Sequence, residues 1–187
     1  MQISDKKITR RKLSKAKISK TSYYNCVFDR IQIDSVNFLH CEFEKCRFIN
    51  CSLKTLRLDF FKLIDCEVES CFLQGINASD IMFPCTFSLK DCEIRFIDFV
   101  GLQLQKSIFL STRFRDCLFE ETALCKSDFT GSEFYNTEFR NSDLSYCDFS
   151  MTEGLDINQE INKVSFIKIP QDAGSKILRR MEIIISG

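Results

Sequence analysis

Large apolar residues recur at every fifth position along most of the chain. One run begins at Ile8 and ends at Phe83, and a second run begins at Leu89 and ends at Phe149. An α-helix buries residues with a period of about 3.6 and a strand with a period of about 2, so neither element explains a period of five. A short repeat that continues along most of the chain predicts a solenoid.

The solenoid is predicted to have four sides. Five residues per side and four sides per coil give about 20 residues per coil, and successive coils then pair as short parallel strands about 4.8 Å apart. The two runs hold 16 and 13 units, which predicts roughly seven coils. Residues 20 apart should stack, and Phe99, Phe119 and Phe139 form such a set. The sequence therefore predicts an all-β fold with stacked rings in its interior.

Small residues occupy the position two before each apolar residue, and nine of the 11 cysteines fall there. A free cysteine behaves as a small buried hydrophobe, so we expect reduced thiols that pack inside the coil and hold no metal. Stacked thiols such as Cys26, Cys46 and Cys66 leave zinc or disulfides as the alternative, but their spacing is that of the repeat and not of a zinc knuckle. The nine cysteines are Cys26, Cys41, Cys46, Cys51, Cys66, Cys71, Cys92, Cys117 and Cys147.

The repeat changes phase once. The step from Phe83 to Leu89 is six residues instead of five, which indicates one inserted residue close to Pro84. A solenoid accommodates an inserted residue as a bulge. Phe83, Pro84 and Cys85 are therefore a candidate site at the one place where the predicted rod is irregular.

The repeat stops after Gly154, which divides the chain into a solenoid over residues 1–154 and a C-terminal segment over 155–187. A helix is predicted from about Gln171 to Arg180, after Pro170, followed by an apolar strand over 182–186. The end of a solenoid exposes strand edges and core rings, so this segment should cap it, join two copies in a homodimer, or both. The candidate dimer residues are Ile177, Leu178, Met181, Ile183 and Ile185.

Charge is unevenly distributed although Lys+Arg and Asp+Glu both number 26. Residues 1–24 carry eight basic residues and one acid, residues 25–160 carry 13 and 23, and residues 161–187 carry five and two, giving +7, −10 and +3. An acidic body repels nucleic acid and attracts basic protein surfaces, so we expect no direct binding of nucleic acid. The basic N-terminal residues keep the five-residue phase, which is consistent with a first coil that points Lys and Arg outwards.

Five acids precede the apolar residue in consecutive units near the end of the second run. This candidate acidic face would bind a basic partner. The alternative is that the aspartates bond the local backbone at each corner, as Asp does in turns. The five are Asp128, Glu133, Glu138, Asp143 and Asp148.

The sequence offers little for catalysis. His40 is the only histidine, and it falls at a position that should face solvent, so any triad would depend on one exposed residue. The six glycines are scattered and form no phosphate-binding loop, and we expect no cofactor. No apolar run reaches the length of a membrane span, and the basic N-terminus lacks the apolar core of a signal peptide, which favours a cytoplasmic protein.

A unit made of a small residue, a polar residue, Leu or Phe, and two polar residues resembles the pentapeptide-repeat family over residues 6–151. The resemblance implies a right-handed quadrilateral β-helix. Within that family, "FFKLIDCE" (60–67), "SDIMFPCTFSL" (79–89), "LQKSIFLS" (104–111), "RFRDCLFEET" (113–122), "KSDFTGSEF" (126–134) and "DFSMTEGLDIN" (148–158) are similar to immunity proteins of bacteria that make a gyrase-poisoning B-type microcin.

The resemblance to immunity proteins implies protection of DNA gyrase from the microcin, and also from fluoroquinolones, without enzymatic activity. Related members are dimers joined at their C-terminal ends and have been described as DNA mimics. The larger loops that some of them carry on the rod have no counterpart here. If only the fold is carried over, the alternative is an interaction module for another basic protein partner.

Overall fold

The chain folds into a parallel β-solenoid, and the computed structural model describes residues 1–78 and 81–183. Strands of three residues alternate with corners along most of the chain, and away from the phase change paired residues are 20 apart, as Ile3 and Tyr23 are. The five-residue period is therefore one strand plus one corner, which confirms the fold predicted from the sequence.

Each corner places a residue in the left-handed region of backbone conformation. From Asp5 to Ser70 every fifth residue has a positive φ, between 48° and 57°. Residues other than glycine adopt this conformation at a cost of roughly 1–2 kcal/mol. Hydrogen bonds between coils offset that cost, since the amide of Asp5 donates to the carbonyl of Tyr24 at 3.0 Å and the same bond recurs at later corners.

Within residues 1–78 and 81–183, the fold contains 22 strands and one helix. The strands are β1 (Gln2–Ser4), β2 (Lys7–Thr9), β3 (Lys12–Ser14), β4 (Lys17–Ser19), β5 (Ser22–Tyr24), β6 (Val27–Asp29), β7 (Gln32–Asp34), β8 (Asn37–Leu39), β9 (Glu42–Glu44), β10 (Arg47–Ile49), β11 (Ser52–Lys54), β12 (Arg57–Asp59), β13 (Phe61–Glu69), β14 (Phe72–Gln74), β15 (Ile81–Lys90), β16 (Glu93–Arg95), β17 (Asp98–Val100), β18 (Ile108–Leu110), β19 (Arg113–Arg115), β20 (Leu118–Glu120), β21 (Glu133–Tyr135) and β22 (Glu138–Arg140). The helix α1 spans Gln171–Arg180.

The strands form parallel sheets along the sides of the rod. Two sides join into one nine-stranded sheet because β13 continues through the corner between them. The third side is a seven-stranded sheet from β3 to β21. The fourth side holds two three-stranded sheets, one of β4, β8 and β12 and the other of β17, β20 and β22.

Rings stack inside the rod as the sequence predicts. Phe119 is fully buried, and its ring lies parallel to Phe99 at 4.6 Å and to Phe139 at 5.0 Å between centroids. Phe129 and Phe149 form a second stacked pair at 4.9 Å. These rings therefore meet like rings in the next coil, which is how a solenoid fills its interior.

The small inward residues also hold the coils together by hydrogen bonds. Thr122 donates its hydroxyl to the carbonyl of Phe99 at 2.7 Å, and the Cys51 thiol donates to the carbonyl of Phe28 at 3.2 Å. Serine, threonine and cysteine all supply a short donor at this position. Their interchange along the sequence follows from this shared bond as well as from their size.

The phase change differs in detail from the sequence prediction. The spacing between paired residues is 20 for Phe61 and Ile81, becomes 22 for Leu63 and Cys85, and is 21 for Cys66 and Phe87. The chain between Ile81 and Cys85 bulges outwards, and Phe83 is 76% exposed. The sequence prediction that Phe83 is an inward residue of the first run is therefore wrong, because the added residues leave it on the outside.

The solenoid continues past residue 154. Asp143 pairs with Lys163 and Asp148 with Lys168, so a last coil stacks on the one before it. Asn162 takes the inward position of that coil: its side-chain oxygen accepts from the amide of Ser142 at 2.9 Å, and its side-chain nitrogen donates to the carbonyl of Phe139 at 2.8 Å. The boundary predicted at 154 marks the end of the sequence repeat, and the coil itself ends later.

Helix α1 closes the C-terminal end and has the bounds that the sequence predicts. Ala173 is buried, and Lys176 and Arg180 donate to the carbonyls of Leu155 and Ile157 at 3.0 and 2.9 Å. These contacts support the capping role predicted for the segment. Most of the strand predicted over 182–186 lies outside the described residues, and the two described positions of that span are not in a strand. Across residues 1–78 and 81–183, no helix has the length and apolar character that a membrane crossing requires.

Candidate partner-binding surface

The five predicted acids do not share one face of the rod. Asp128 and Asp148 pair with each other across adjacent coils, as the sequence predicts. Glu133 pairs with Arg113 and Glu153, Glu138 with Leu118, and Asp143 with Ala123 and Lys163. Consecutive units lie on consecutive sides of a four-sided coil, so these acids are distributed around the whole circumference.

The three aspartates bond the local backbone. One side-chain oxygen of Asp128, Asp143 and Asp148 accepts from the amide two residues later, at 2.9 to 3.0 Å. Hydrogen bonds from Lys168 and Ser150 lower the pKa of Asp148 to about 2. These side chains therefore shape the corners, as the alternative interpretation of the sequence proposed, and only part of each carboxylate faces solvent.

The two glutamates have a different environment. Glu133 and Glu138 are exposed and lie beside Arg113 and Arg140, with nitrogen–oxygen distances of 3.3 and 2.7 Å. Exposed ion pairs of this kind contribute roughly 0–1 kcal/mol to stability. A basic partner can therefore displace the arginines at little cost, which makes Glu133 and Glu138 the accessible members of the predicted acidic set.

The bulge on β15 presents an apolar projection that the sequence only partly identified. Phe83 is 76% exposed and Met82 is 41% exposed, whereas Cys85 is 4% exposed. Burial raises the pKa of the Cys85 thiol to about 12, so it stays protonated. Of the three residues predicted here, Phe83 and Pro84 are exposed and accessible to a partner, while Cys85 anchors the bulge to the interior. Met82 was missed because nothing in the repeat distinguishes it.

The bulge is fixed to the neighbouring coil. The Thr86 hydroxyl accepts from the amide of Asp65 at 2.7 Å and donates to the Asp65 carboxylate at 3.0 Å. Cys85 pairs with Leu63, which lies on β13 two residues before Asp65. Phe83 therefore projects from a bulge whose C-terminal end is hydrogen-bonded to the neighbouring coil.

The corners carry exposed aromatic residues that the sequence analysis did not single out. His40 is exposed as predicted, and its ring stacks on Phe60 at 4.7 Å. Tyr146 stacks on Phe166 at 5.1 Å, and Phe166 is 77% exposed. Their signal in the sequence is their spacing of 20, which places both members of each pair at the same corner of adjacent coils.

The cysteines lie where the repeat places them. Ten of the 11 are buried, and Cys125 is partly exposed. Burial raises the pKa of the Cys117 and Cys147 thiols to about 11 and about 12, so both are protonated and poor metal ligands. Over residues 1–78 and 81–183, no group of three or more His, Cys, Asp or Glu side chains is placed to hold a metal ion.

The candidate dimer residues are brought together on and after α1. Ile177 and Leu178 are partly buried, while Met181 and Ile183 are 53% and 44% exposed. Ile185 lies outside the described residues. Two large apolar side chains, Met181 and Ile183, therefore remain exposed just after α1.

Comparison with known proteins identifies relatives of the whole chain. A family model of pentapeptide repeats, in eight copies, matches residues 112–150. Protein McbG of Escherichia coli is 69% identical over 187 residues, which is 100% of both chains.

Two solved structures share the fold. One of trypsin-treated QnrB1, described as a plasmid-mediated fluoroquinolone resistance protein, has a TM-score of 0.73 at 16% identity and covers 98% of this chain and 100% of its own. A second, of another trypsin-treated QnrB1 variant, has a TM-score of 0.57 at 20% identity and covers 100% and 98%.

Proposed function

The chain belongs to the pentapeptide-repeat family together with Protein McbG, and from this membership we propose that it is a non-enzymatic immunity protein that protects DNA gyrase from a microcin-type poison. The observation that carries the proposal is the 69% identity to McbG over the entire length. The matched region includes the bulge and the C-terminal cap as well as the repeats. The protein would act in the cytoplasm, where gyrase meets DNA.

The surface supports binding of a basic protein region by distributed charge. Residues 25–160 carry 13 basic and 23 acidic residues, a net charge of −10. Because the acids surround the rod, any of its sides can approach a basic groove of the kind that holds DNA. DNA mimicry would then depend on the rod as a whole and not on a single acidic stripe.

A gyrase supercoiling assay tests the proposal directly. The protein is titrated into gyrase and relaxed plasmid with and without the microcin, and we expect supercoiling to be restored as the protein concentration rises. A second series replaces the microcin with a fluoroquinolone, since QnrB1 is described as a fluoroquinolone resistance protein. Failure to restore supercoiling at any concentration in the microcin series would refute the proposed protection, and failure in the fluoroquinolone series alone would limit it to the microcin.

The bulge is the proposed point of specific contact. We expect Phe83→Ser to weaken protection by roughly tenfold or more in the supercoiling assay, because exposed aromatic side chains often dominate the free energy of protein association. Phe96→Ser is the matched control, since Phe96 is also an exposed aromatic residue, at 55%, but lies on the regular part of the rod. Equal protection by the two variants would remove the bulge from the binding surface.

The contribution of negative charge to protection is tested at the two accessible glutamates, Glu133 and Glu138. We expect the double variant Glu133→Lys, Glu138→Lys to weaken protection and to reduce its dependence on salt, because screened attraction between opposite charges would be lost. The aspartates are left unchanged, since replacing them would also break the corner hydrogen bonds. Unchanged protection by a folded double variant would argue against DNA mimicry through these residues.

We also propose a homodimer through the apolar surface formed by Ile177, Leu178, Met181 and Ile183. Large exposed apolar side chains next to each other commonly mark protein interfaces. Light scattering should give twice the mass of the 21.8 kDa chain, and Met181→Glu with Ile183→Glu should reduce it to the monomer. A monomeric parent protein would refute the dimer and leave the capping role of α1 intact.

An interaction module for another basic protein partner remains the second candidate. The same charge distribution favours this second candidate when the similarity to McbG and QnrB1 is set aside. Capture experiments with gyrase subunits decide between the two, because only the first candidate requires binding to gyrase.

A further inference from the structure

The interior of the N-terminal half of the solenoid contains an apolar cavity of about 450 Å³. Its lining begins at Ile8 and Leu13 in the first coil and ends at Ile94 and Phe99 in the fifth. Four coil steps of about 4.8 Å make it roughly 19 Å long. A cavity of this volume is in the range of small-molecule sites, but here it is long and narrow.

The first and fourth coils of this half carry aliphatic side chains at the inward positions, which leaves space along the axis beside the rings of the second and third coils. The fourth coil places the aliphatic side chains of Leu63, Val68, Leu73 and Ala78 at the inward positions, and its buried ring, Phe61, packs against Phe38 and Phe43 at 5.9 and 5.3 Å. Core residues nearby, such as Leu58, stay 8% accessible although they lie inside the rod.

The C-terminal half is filled by contrast. Phe109, Phe114, Phe119 and Phe129 are at most 1% accessible. Their stacked rings leave no space along the axis. The cavity is therefore a property of the N-terminal half, set by side-chain size.

The cavity is open towards the N-terminal end. Strands β1 to β4 each pair with one neighbour only, so the sheets end there. Ile8, Leu13 and Ile18 are only partly buried, whereas their counterparts in the next coils are covered. At the other end of the rod, α1 and its hydrogen bonds close the last coil.

The mouth of the cavity is strongly basic. Residues 1–24 hold eight Lys or Arg and one acid, a net charge of +7. Arg11 and Lys12 belong to the cavity lining itself. A ligand that fits both parts must therefore be apolar along its length and anionic at one end.

We propose that this cavity binds a single-chain amphiphile with an anionic head group, of the fatty-acid type. The acyl chain lies along the axis against Leu53, Val68 and Leu73, and the carboxylate lies between Arg11 and Lys12 at the mouth. Filling an empty apolar cavity with an apolar chain is favourable because such cavities stay dry. A second copy docked end to end would bring two +7 surfaces together, and nucleic acid would leave the apolar cavity empty, so both fit the site less well.

Calorimetric titration of the full chain with dodecanoate, kept below its micelle concentration, tests the proposal. We expect saturable binding at about one ligand per chain and a thermal unfolding midpoint that rises with ligand concentration. Dodecanol and dodecyltrimethylammonium should bind at least roughly tenfold more weakly because they lack the anion, and octanoate because it fills less of the cavity. Binding of dodecyltrimethylammonium as tight as that of dodecanoate would overturn the role of the basic mouth.

Two variants test separately how the apolar cavity and its basic mouth contribute to dodecanoate binding. Val68→Phe extends the stack of Phe28 and Phe48, whose rings lie 4.7 Å apart, and should block the cavity and reduce dodecanoate affinity at least roughly tenfold. Arg11→Glu with Lys12→Glu should have a similar effect from outside the core, so it remains informative if Val68→Phe does not fold.

Lys106→Glu with Lys126→Glu is the control, because it makes the same change of net charge away from the cavity and should leave binding unchanged. Affinity that is the same in all variants, or binding to anionic phospholipid vesicles but not to free dodecanoate, would overturn the proposed site.

Discussion

Replacing Phe119 with alanine is expected to lower the free energy of unfolding by about 3–5 kcal/mol. Its ring is fully buried and stacks between Phe99 and Phe139, with centroids 4.6 and 5.0 Å away. Removing it takes apolar area from the core and leaves a cavity that the rigid coils on either side cannot close. Urea denaturation followed by circular dichroism measures the loss.

Phe96→Ala is the control for the core variant. Phe96 is 55% exposed at a corner, so its removal should change stability by no more than about 0.5 kcal/mol. A loss below about 1 kcal/mol for Phe119→Ala would mean that the stacked rings contribute little and that the solenoid is held mainly by its backbone ladders.

Gly154→Ala is expected to be the most disruptive change outside the aromatic core, with a loss of at least about 3 kcal/mol. Gly154 has a φ of +73°, and a Cβ placed there would lie 2.1 Å from the carbonyl oxygen of Phe134. The obstructing atom belongs to the backbone of the coil below, where the amide of Phe134 donates to the carbonyl of Glu153 at 2.8 Å. The last coil would have to lift away to admit the methyl group. Thermal unfolding of the variant measures the loss.

Gly101→Ala is the control that separates the effect of the close contact with Phe134 from the effect of the positive φ. Gly101 has a φ of +68°, but nothing lies within 4 Å of a Cβ at that position. Its substitution should cost only the roughly 1–2 kcal/mol of a left-handed alanine. If the two alanine variants lose the same stability, the contact with Phe134 is not what requires glycine at residue 154.

The positions of the five predicted acids in the structure change how the predicted binding surface is understood. The sequence has five acids in consecutive units, which suggested that they lie side by side on one face of the rod. In the structure Asp128 and Asp148 share a side, while Glu133 and Glu138 lie on two others. The acids therefore surround the rod, and the apolar bulge at Phe83 makes one side irregular.

The amino-acid sequence alone was enough to predict the solenoid, its stacked interior and its C-terminal helix. A five-residue phase is informative because every unit contributes the same three parts, which are one inward apolar side chain, one small inward donor and one corner. Phe119 and Cys51 are found where that pattern predicts them, and α1 is found where Pro170 and an apolar helical face predict it. Such features depend on local spacing, which a sequence records directly.

The irregular places could be understood only from the three-dimensional structure. Phe83 keeps the five-residue phase of the sequence, but its side chain lies on the outside of the rod. The reason is that Leu63 pairs with Cys85, two residues later, and not with Phe83. Asn162 breaks the pattern of small inward residues but continues the coil through two hydrogen bonds to the coil below. The hollow N-terminal half likewise depends on the summed volume of several side chains that meet across the axis. Each of these outcomes rests on contacts between coils, about 20 residues apart in sequence, and a repeat read one unit at a time does not contain them.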